Sequence, residues 1–335
     1  MKEVDILIVH LNGADVIKNC LQSIFDDDPS ARVKLLFNAT TDESPEFVRK
    51  KFPKVMSYHT KERWGFAQAS NFLVKKSKNK YVIFLNNDVV VGKNWAIELL
   101  KTLKRNKNCV AVQSKIKSYY RRDYFEHAGA AGGFVDQYGY PFCRGRIFDV
   151  VEKDTKQYDN EIRIFWGCGV SLLVDRNYFI KAGMFDELFF MYAEELDFCW
   201  RANNAGKEIW FSPKSTIYHM GSFSVSNEKI NFKKEYFISR NHYLALIKSG
   251  PFSHILGLLF GKTILELISL VRFPIKRGIP FLMSLPYIIY YLVSQHKNMH
   301  HPTIRKEVRK MIYPRSIALD HFLKHKCKYS NLKWD

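Results

Sequence analysis

The 335-residue chain has six cysteines, at 20, 109, 143, 168, 199 and 327, and no two of them stand in a Cys-x-x-Cys pair. That spacing excludes a disulfide framework and a clustered structural zinc site, and it suits a reducing compartment. Glycine (17) and proline (11) are scarce, which excludes collagen-like and low-complexity classes. No run of about 20 residues is uninterruptedly apolar. The first apolar stretch, Ile6-Leu7-Ile8-Val9, is too short for the core of a secretory signal peptide, so a cytoplasmic location is expected. Acids are in deficit as well, 33 against 52 Lys and Arg, for a net charge of +19.

What is present is material for a core. Hydrophobic residues make up 47 % and aromatics 15 %, a globular composition. At about 150 residues per domain, the length accommodates one large or two modest domains. The charge is unevenly spread: from Gly221 onward there are 19 basic and 6 acidic residues, so the last third carries most of the excess. Such a field suits anionic lipid headgroups, nucleic acid or an anionic substrate, and charge alone does not choose among them.

The first 100 residues alternate apolar runs with amphipathic stretches, the pattern of strands joined by helices. Strands are expected at Val4–Val9, Lys34–Phe37 and Tyr81–Leu85, and helices at Ala14–Phe25, Ser44–Phe52 and Gln68–Lys78. This order predicts an α/β doubly wound, mostly parallel sheet, whose ligands bind beyond the carboxyl ends of the strands. Asn12, Asn38 and Asp88 would lie there. From Cys109 to Gly169 the pattern reads as loops and edge strands. A helix is expected from about Ala193 to Gly206, then a strand from Glu208 leading to His219. Near the end, Ile255–Val271 is broken by Lys262 and Glu266, and Gly278–Val293 by Pro280 and Pro286. These read as two interfacial helices, with Lys262, Arg272, Lys276, Arg277 and the basic stretch after His296 meeting anionic lipid. The competing reading is a buried helical subdomain.

Three places carry chemistry. Asp88 ends an apolar strand after two asparagines, with no basic neighbour, a position suited to a hard cation once phosphate oxygens complete its shell. As a bare Asn-Asn-Asp it would be only a turn. Glu194, Asp197 and Arg201 share one helical stripe, so the arginine can tie down an acid there, while Glu195 lies about 100° around the helix. Acids in a first helical turn are ordinary, but Phe189-Phe190-Met191-Tyr192 just upstream makes their setting apolar, which raises a carboxylate's basicity. His219, beside Gly221, matters only if the sheet brings it to Asp88.

In this order the residues resemble family 2 inverting glycosyltransferases of the GT-A fold, in particular the rhamnosyltransferase-like branch, from Val4 to about Leu246. The series is Ile6-Leu7-Ile8-Val9 with Asn12, Asn38-Ala39-Thr40-Thr41-Asp42, Gly65-Phe66-Ala67 with Asn71, and Leu85-Asn86-Asn87-Asp88. It continues through Trp166-Gly167-Cys168-Gly169, Gly183-Met184-Phe185-Asp186-Glu187, Phe190-Met191-Tyr192-Ala193-Glu194-Glu195-Leu196-Asp197, His219 and Ser239-Arg240-Asn241. The resemblance implies a Mg²⁺ or Mn²⁺ ion held by Asp88 and His219. It implies a nucleoside-diphosphate sugar near Leu11, Asn12, Asn38, Arg63, Asn71, Asn86 and Asn87, a catalytic carboxylate among Glu195, Glu194 and Asp197, and an acceptor wall at Trp166 and Gly167. Glu195 matches the second acid of the family's Glu-Asp pair, and a glutamate there leaves the base open between Glu194 and Glu195. Phe37 replaces the aspartate usual before the Asn, and Arg63 stands where an Asn is common.

The expected protein is a membrane-associated transferase. Residues 1–225 would form the catalytic domain and 226–335 a helical, basic, bilayer-facing extension, peripheral on the inner face of the membrane. The acceptor would be a glycan or lipid-linked hydroxyl, nucleic acid is not expected, and an oligomer is compatible with the sequence. Three rivals remain. A sugar-nucleotide-forming nucleotidyltransferase would need a glycine-rich phosphate loop after the first strand, where only Gly13 stands. A basic nucleic-acid binder would lose affinity steeply with salt. A catalytically dead glycan-binding relative would not notice the loss of Glu195.

Overall fold

Val4–His10 (β1) is buried because parallel partners flank it on both edges, Val33–Asn38 (β2) and Tyr81–Asn86 (β4). Strands enclosed in this way read as continuous apolar runs. Ala14–Asp27 (α1), Ser44–Lys51 (α2) and Phe66–Lys76 (α3) connect them. One strand of this half escaped the sequence: Met56–Thr60 (β3) pairs with β2 at the sheet edge, mostly exposed and therefore without an apolar run. The computed structural model describes residues 2–221, 232–250, 255–295 and 305–334.

Beyond β4 come Val89–Val91 (β5), Trp95–Arg105 (α4) and Cys109–Ser118 (β6). Gly133–Asp136 (β7), Pro141–Cys143 (β8), Arg146–Ile147 (β9) and Val150–Val151 (β10) build a second sheet. Ile162–Ile164 (β11) and Ser171–Asp175 (β12) return to the first sheet, followed by Arg176–Lys181 (α5), Glu194–Asn204 (α6) and Glu208–His219 (β13). The main sheet runs β11-β13-β6-β12-β4-β1-β2-β3, with β5 beside β13. Its β4-β1-β2-β3 half is parallel, and β12 enters antiparallel between β4 and β6. β6 is thus a central strand, where the sequence suggested loops and edges. Its buried polar residues disguised it: Ser114 Oγ meets Ser171 Oγ at 2.7 Å and Ser215 Oγ at 2.8 Å, and Lys115 pairs with Asp154 and Asp159.

The later chain forms Phe232–Ser249 (α7), Ile255–Arg272 (α8) and Ile279–Gln295 (α9), and α7 packs chiefly on α9. Ile312–Tyr313 (β14) then joins the second sheet parallel to β7, and Trp334 closes an aromatic cluster with Phe134, Phe142, Tyr313 and Tyr329. Among the described residues no helix is long and apolar enough to cross a membrane.

Lys262 and Glu266 do not face outward as expected. Lys262 is fully buried with its ammonium 3.4 Å from the centroid of the Tyr140 ring, and Glu266 accepts a 2.7 Å hydrogen bond from the Tyr140 hydroxyl. With its polar residues turned inward, α8 presents an outer stripe of Leu256, Phe260, Ile264, Leu267 and Ile268, of which Leu256 is 77 % and Phe260 69 % exposed. Leu282, Met283, Ile289, Tyr290 and Val293 are likewise exposed on α9. Arg277 lies over the Phe148 ring, while the side chains of Arg272 and Lys276 and the stretch 296–304 lie outside the described residues.

The Lys262 ammonium has no hydrogen-bond acceptor, and burial pushes its amine down to about 8 despite the nearby Glu266 and Asp136 carboxylates. Between that value and the ordinary lysine value of about 10.4, the unfolded chain holds the proton more firmly, so stability rises with pH across that window. The isosteric Lys262→Met variant is expected to lose this rise and to gain about 1–3 kcal/mol at pH 7. Urea unfolding at pH 7 and 9.5 checks it, and a less stable variant at pH 7 would show that the Tyr140 contact outweighs desolvation.

Candidate active site

The turn Asn86-Asn87-Asp88 leaves β4 at its carboxyl end, and the antiparallel pairing of β5 with the end of β13 lays His219 against it. Met220 N–H donates to Asp88 O at 2.9 Å, fixing the two segments. His219 Nε2 then lies 3.1 Å from Asp88 Oδ1 and 3.4 Å from Asn86 Nδ2, while Nδ1 faces Glu126 Oε2 at 3.0 Å. Burial alone would hold this imidazole neutral. The two carboxylates overcome it and lift His219 to about 10, and the same contact draws buried Glu126 down to about 2. Among the described residues no group of three His, Cys, Asp or Glu side chains would cage a cation unaided. Two groups at 3.1 Å do match adjacent corners of an octahedron, which stand about 3 Å apart for bonds of about 2.1 Å. The pair fits a hard divalent ion whose remaining positions are filled by substrate and water oxygens.

The second half of the site is the first turn of α6. Phe190, Tyr192 and Ala193 enter it with φ of 61°, 69° and 67°, an unfavourable conformation for residues with a Cβ. Asn241 of α7 holds them, donating to the carbonyls of Phe189, Met191 and Tyr192 at 2.8, 2.8 and 2.7 Å, and Arg240 donates to those of Leu188 and Phe189. Gly65 makes the same approach possible from α3, since a Cβ there would overlap Phe190 O. Within this frame Glu194 is buried and Glu195 half-buried. Burial and the neighbouring Glu195 charge push Glu194 far above the usual carboxylate range. Burial raises Glu195 too, but hydrogen bonds from Gly169 N–H and from the Glu194 carboxyl favour its ionised form. The upward push is therefore larger on Glu194 than on Glu195, and each acid leaves one carboxylate oxygen, Oε2, without a hydrogen-bond partner. A helix N-terminus favours anions by at most about 1–2 kcal/mol, too little here to cancel desolvation.

The two halves meet through one tripeptide. Cys168 Sγ lies 3.9 Å from Glu195 Oε1, Gly169 N–H serves Glu195, and Val170 O accepts from Asn86 N at 3.1 Å. The antiparallel register Ser171↔Leu85 makes this adjacency obligatory.

The other expected site residues divide. Asp197 is fully buried and spent on Arg201 Nε at 2.9 Å and Lys248 Nζ at 3.1 Å, so the arginine ties down Asp197, and this acid is not at hand for catalysis. Asn38 and Asn71 also differ from expectation, because both amides are consumed within the protein. Asn38 bonds Trp64 N and O and Thr60 Oγ1, while Asn71 bonds Phe185 N and O and Glu187 Oε1. They shape the cleft instead of lining it with free groups. Asn12 is exposed and pairs with Thr41, Leu11 is half-buried, and exposed Arg63 is near enough to the Tyr192 hydroxyl for their charges to interact. Trp166 is buried with its indole N–H on Phe134 O at 3.0 Å, and Gly167 N–H points to Cys199 Sγ at 3.5 Å.

Two contributors were missed. His10 ends β1, its Nε2 3.0 Å from Ser44 Oγ and its Nδ1 2.8 Å from Asn87 Nδ2, and burial lowers it to about 4, so a neutral ring anchors the turn that carries Asp88. Its place at a strand's carboxyl end was the available signal. Glu126 had none, since it lies in a loop that nothing in the sequence links to His219.

Residues 5–178, more than half of the chain, match the family described as Glycosyl transferase family 2. N-acetylglucosaminyl-diphospho-decaprenol L-rhamnosyltransferase of Mycobacterium tuberculosis (strain CDC 1551 / Oshkosh) is 25 % identical over 233 residues, covering 65 % of this chain and 76 % of the relative. Rhamnosyltransferase WbbL of Escherichia coli (strain K12) is 21 % identical over 224 residues, covering 64 % and 82 %. GalNAc-T7, solved with UDP, GalNAc and Mn²⁺, superposes with a TM-score of 0.59 at 15 % identity over 89 % of this chain, which spans only 58 % of that protein. The mannosyltransferase PcManGT from Pyrobaculum calidifontis, in complex with GDP-Man and Mn²⁺, gives 0.54 at 14 % identity, covering 97 % of this chain and 88 % of that one. Fold, family match and paired acids agree: the chain belongs to glycosyl transferase family 2 and is an inverting glycosyltransferase on the GT-A fold.

Proposed function

We propose that this transferase moves a sugar from a nucleoside-diphosphate donor to a hydroxyl of a lipid-linked or polysaccharide glycan precursor, with Glu195 as the base. The observation that carries this reading is the adjacency of the two acid clusters: the Cys168–Val170 segment touches Glu195 through Cys168 and hydrogen-bonds Asn86 through Val170, two residues before the Asp88 that faces His219. Glu195 takes the acceptor proton as the oxygen attacks the anomeric carbon, and a single displacement inverts that centre. Glu194 and Gly169 N–H hold the Glu195 carboxylate in place. Asp88 and His219 would hold Mg²⁺ or Mn²⁺, which would neutralise the charge that develops on the departing diphosphate. Leu11, Asn12, Asn86, Asn87 and Arg63 border the donor. Trp166 and Gly167 back the acceptor side, since they precede the Cys168–Val170 segment that touches Glu195. The family match disfavours the nucleotidyltransferase and nucleic-acid-binding rivals.

Residues 1–225 carry the chemistry in this reading and 226–335 the membrane contact, with the protein peripheral on the inner face of the membrane. The apolar outer stripe of α8 and α9 supports that contact, and the basic surplus of the last third suits anionic lipid.

A thermal-shift screen of UDP-, dTDP- and GDP-sugars with Mn²⁺ or Mg²⁺ tests the transferase reading, because a ligand of the folded state raises the melting temperature. One nucleotide class should stabilise the protein in a metal-dependent way, and silence across the panel would sink the proposal. With that donor, Glu195→Gln is expected to cut turnover by about 10²–10⁴ while keeping the thermal shift. Glu194→Gln, which can still donate to Glu195, should stay within about tenfold of the wild type. Glu194→Ala removes a bond that favours the Glu195 charge, so the acid limb of its pH–rate profile should move to higher pH. Equal losses in Glu195→Gln and Glu194→Gln would overturn the assignment of the base.

Vesicle flotation tests the membrane contact. The wild type should float with vesicles of phosphatidylglycerol and phosphatidylcholine, and a Leu256→Glu, Phe260→Glu double variant should stay in the dense fraction with its donor-induced thermal shift intact. A double variant that floats as well as the wild type would remove the α8 stripe from the contact.

A further inference from the structure

Glu126 belongs to none of the motifs that mark the site, yet it makes the one contact that decides which nitrogen His219 offers. Its Oε2 lies 3.0 Å from His219 Nδ1, on the edge of the ring away from Asp88, which faces Nε2 at 3.1 Å. The carboxylate is itself held. Ala128 N–H donates to the same Oε2 at 2.6 Å, and Glu126 N–H donates to Ile116 O of β6 at 3.0 Å. The following turn is fastened from below, because buried Gln113 donates to Gly129 O at 3.0 Å and accepts from Cys168 N–H at 2.9 Å. Room for the carboxylate comes from Gly221, where φ is +52° and a Cβ would stand 2.8 Å from Glu126 Oε1.

We propose that Glu126 is a positioning residue for the cation site: by accepting the Nδ1 proton of His219 it fixes the tautomer and ring plane in which Nε2 faces Asp88. Glu126 is not a ligand in this arrangement, since it occupies the opposite nitrogen of the ring. A carboxylate behind a metal-binding histidine orients the ring and raises its donor strength, and its removal typically weakens metal binding 10–100-fold. The proposal rests on the reading of Asp88 and His219 as the residues that hold the divalent ion.

The test uses the full chain and Mn²⁺ alone, titrated by the electron paramagnetic resonance signal of the free ion, together with ¹⁵N spectra of the histidine rings in Mg²⁺. Glu126→Ala is expected to weaken Mn²⁺ binding by about 10–100-fold and to release the His219 ring from a single tautomer. Glu126→Gln, whose amide oxygen can still accept from Nδ1–H, should keep the tautomer and lose less than about tenfold. A folded Glu126→Ala protein that binds Mn²⁺ within twofold of the wild type overturns the proposal, and so does a Glu126→Gln protein as impaired as Glu126→Ala. Should Glu126→Ala not fold, the wild-type spectrum decides: a His219 ring protonated on Nε2 instead of Nδ1 in Mg²⁺ rejects the role. A wild type that binds no Mn²⁺ sinks the metal reading itself, whereas wild-type binding without an effect of Glu126 sinks only this inference.

Discussion

The pairing of β12 with β4 is the constraint on which the chemistry depends. It places Val170 opposite Asn86, so that the strand leading out of the acid-pair pocket and the strand that leads into the Asp88 turn are hydrogen-bonded neighbours. β6 pairs with the other edge of β12 and β13 with the far edge of β6, and the end of β13 brings His219 back across the turn after β4. The positions of the Asp88–His219 pair and of the Glu194–Glu195 pair are thus set by backbone register, which tolerates little drift because a shift of one residue would turn every side chain to the opposite face.

On that frame the protein sorts its carboxylates by environment. Asp197 has two cationic partners and serves packing, whereas Asp88 and Glu126 flank one imidazole, that of His219. Among the described residues Glu194 and Glu195 have no ion-pair partner, and two acids that close cannot both ionise at little cost, so burial raises both and Glu194 the more. The strained entry into α6, with Asn241 fastening three carbonyls, keeps the pair from relaxing toward water.

The helical region shows the same sorting in reverse. Lys262 and Glu266, the only charged residues on α8 before Arg272, are turned onto Tyr140. The surface left behind on α8 is more apolar than the helix as a whole, with Leu256, Phe260, Ile264, Leu267 and Ile268 exposed along it. Beyond it the chain returns as β14, so the elements around α8 and α9 are tied to the second sheet at their far end.

Local patterning determined a good deal. Apolar runs and amphipathic periods located β1, β2, β4, α1, α2 and α6, because strands enclosed on both faces and helices packed on one face leave marks within a few residues of sequence. The ordered motifs named Asp88, His219 and the Glu194–Glu195 pair for the same reason: each sits at the end of a legible element. The tertiary structure alone decided what each side chain meets. It showed that β6 is central although polar residues interrupt it, that Asn38 and Asn71 spend their amides inside the protein, and that Lys262 faces inward. It also showed that Glu194 is pushed up more strongly than Glu195 and that Glu126 stands behind His219. These depend on partners tens of residues apart, on desolvation and on register, and none of those quantities is encoded in the spacing of residues along one segment.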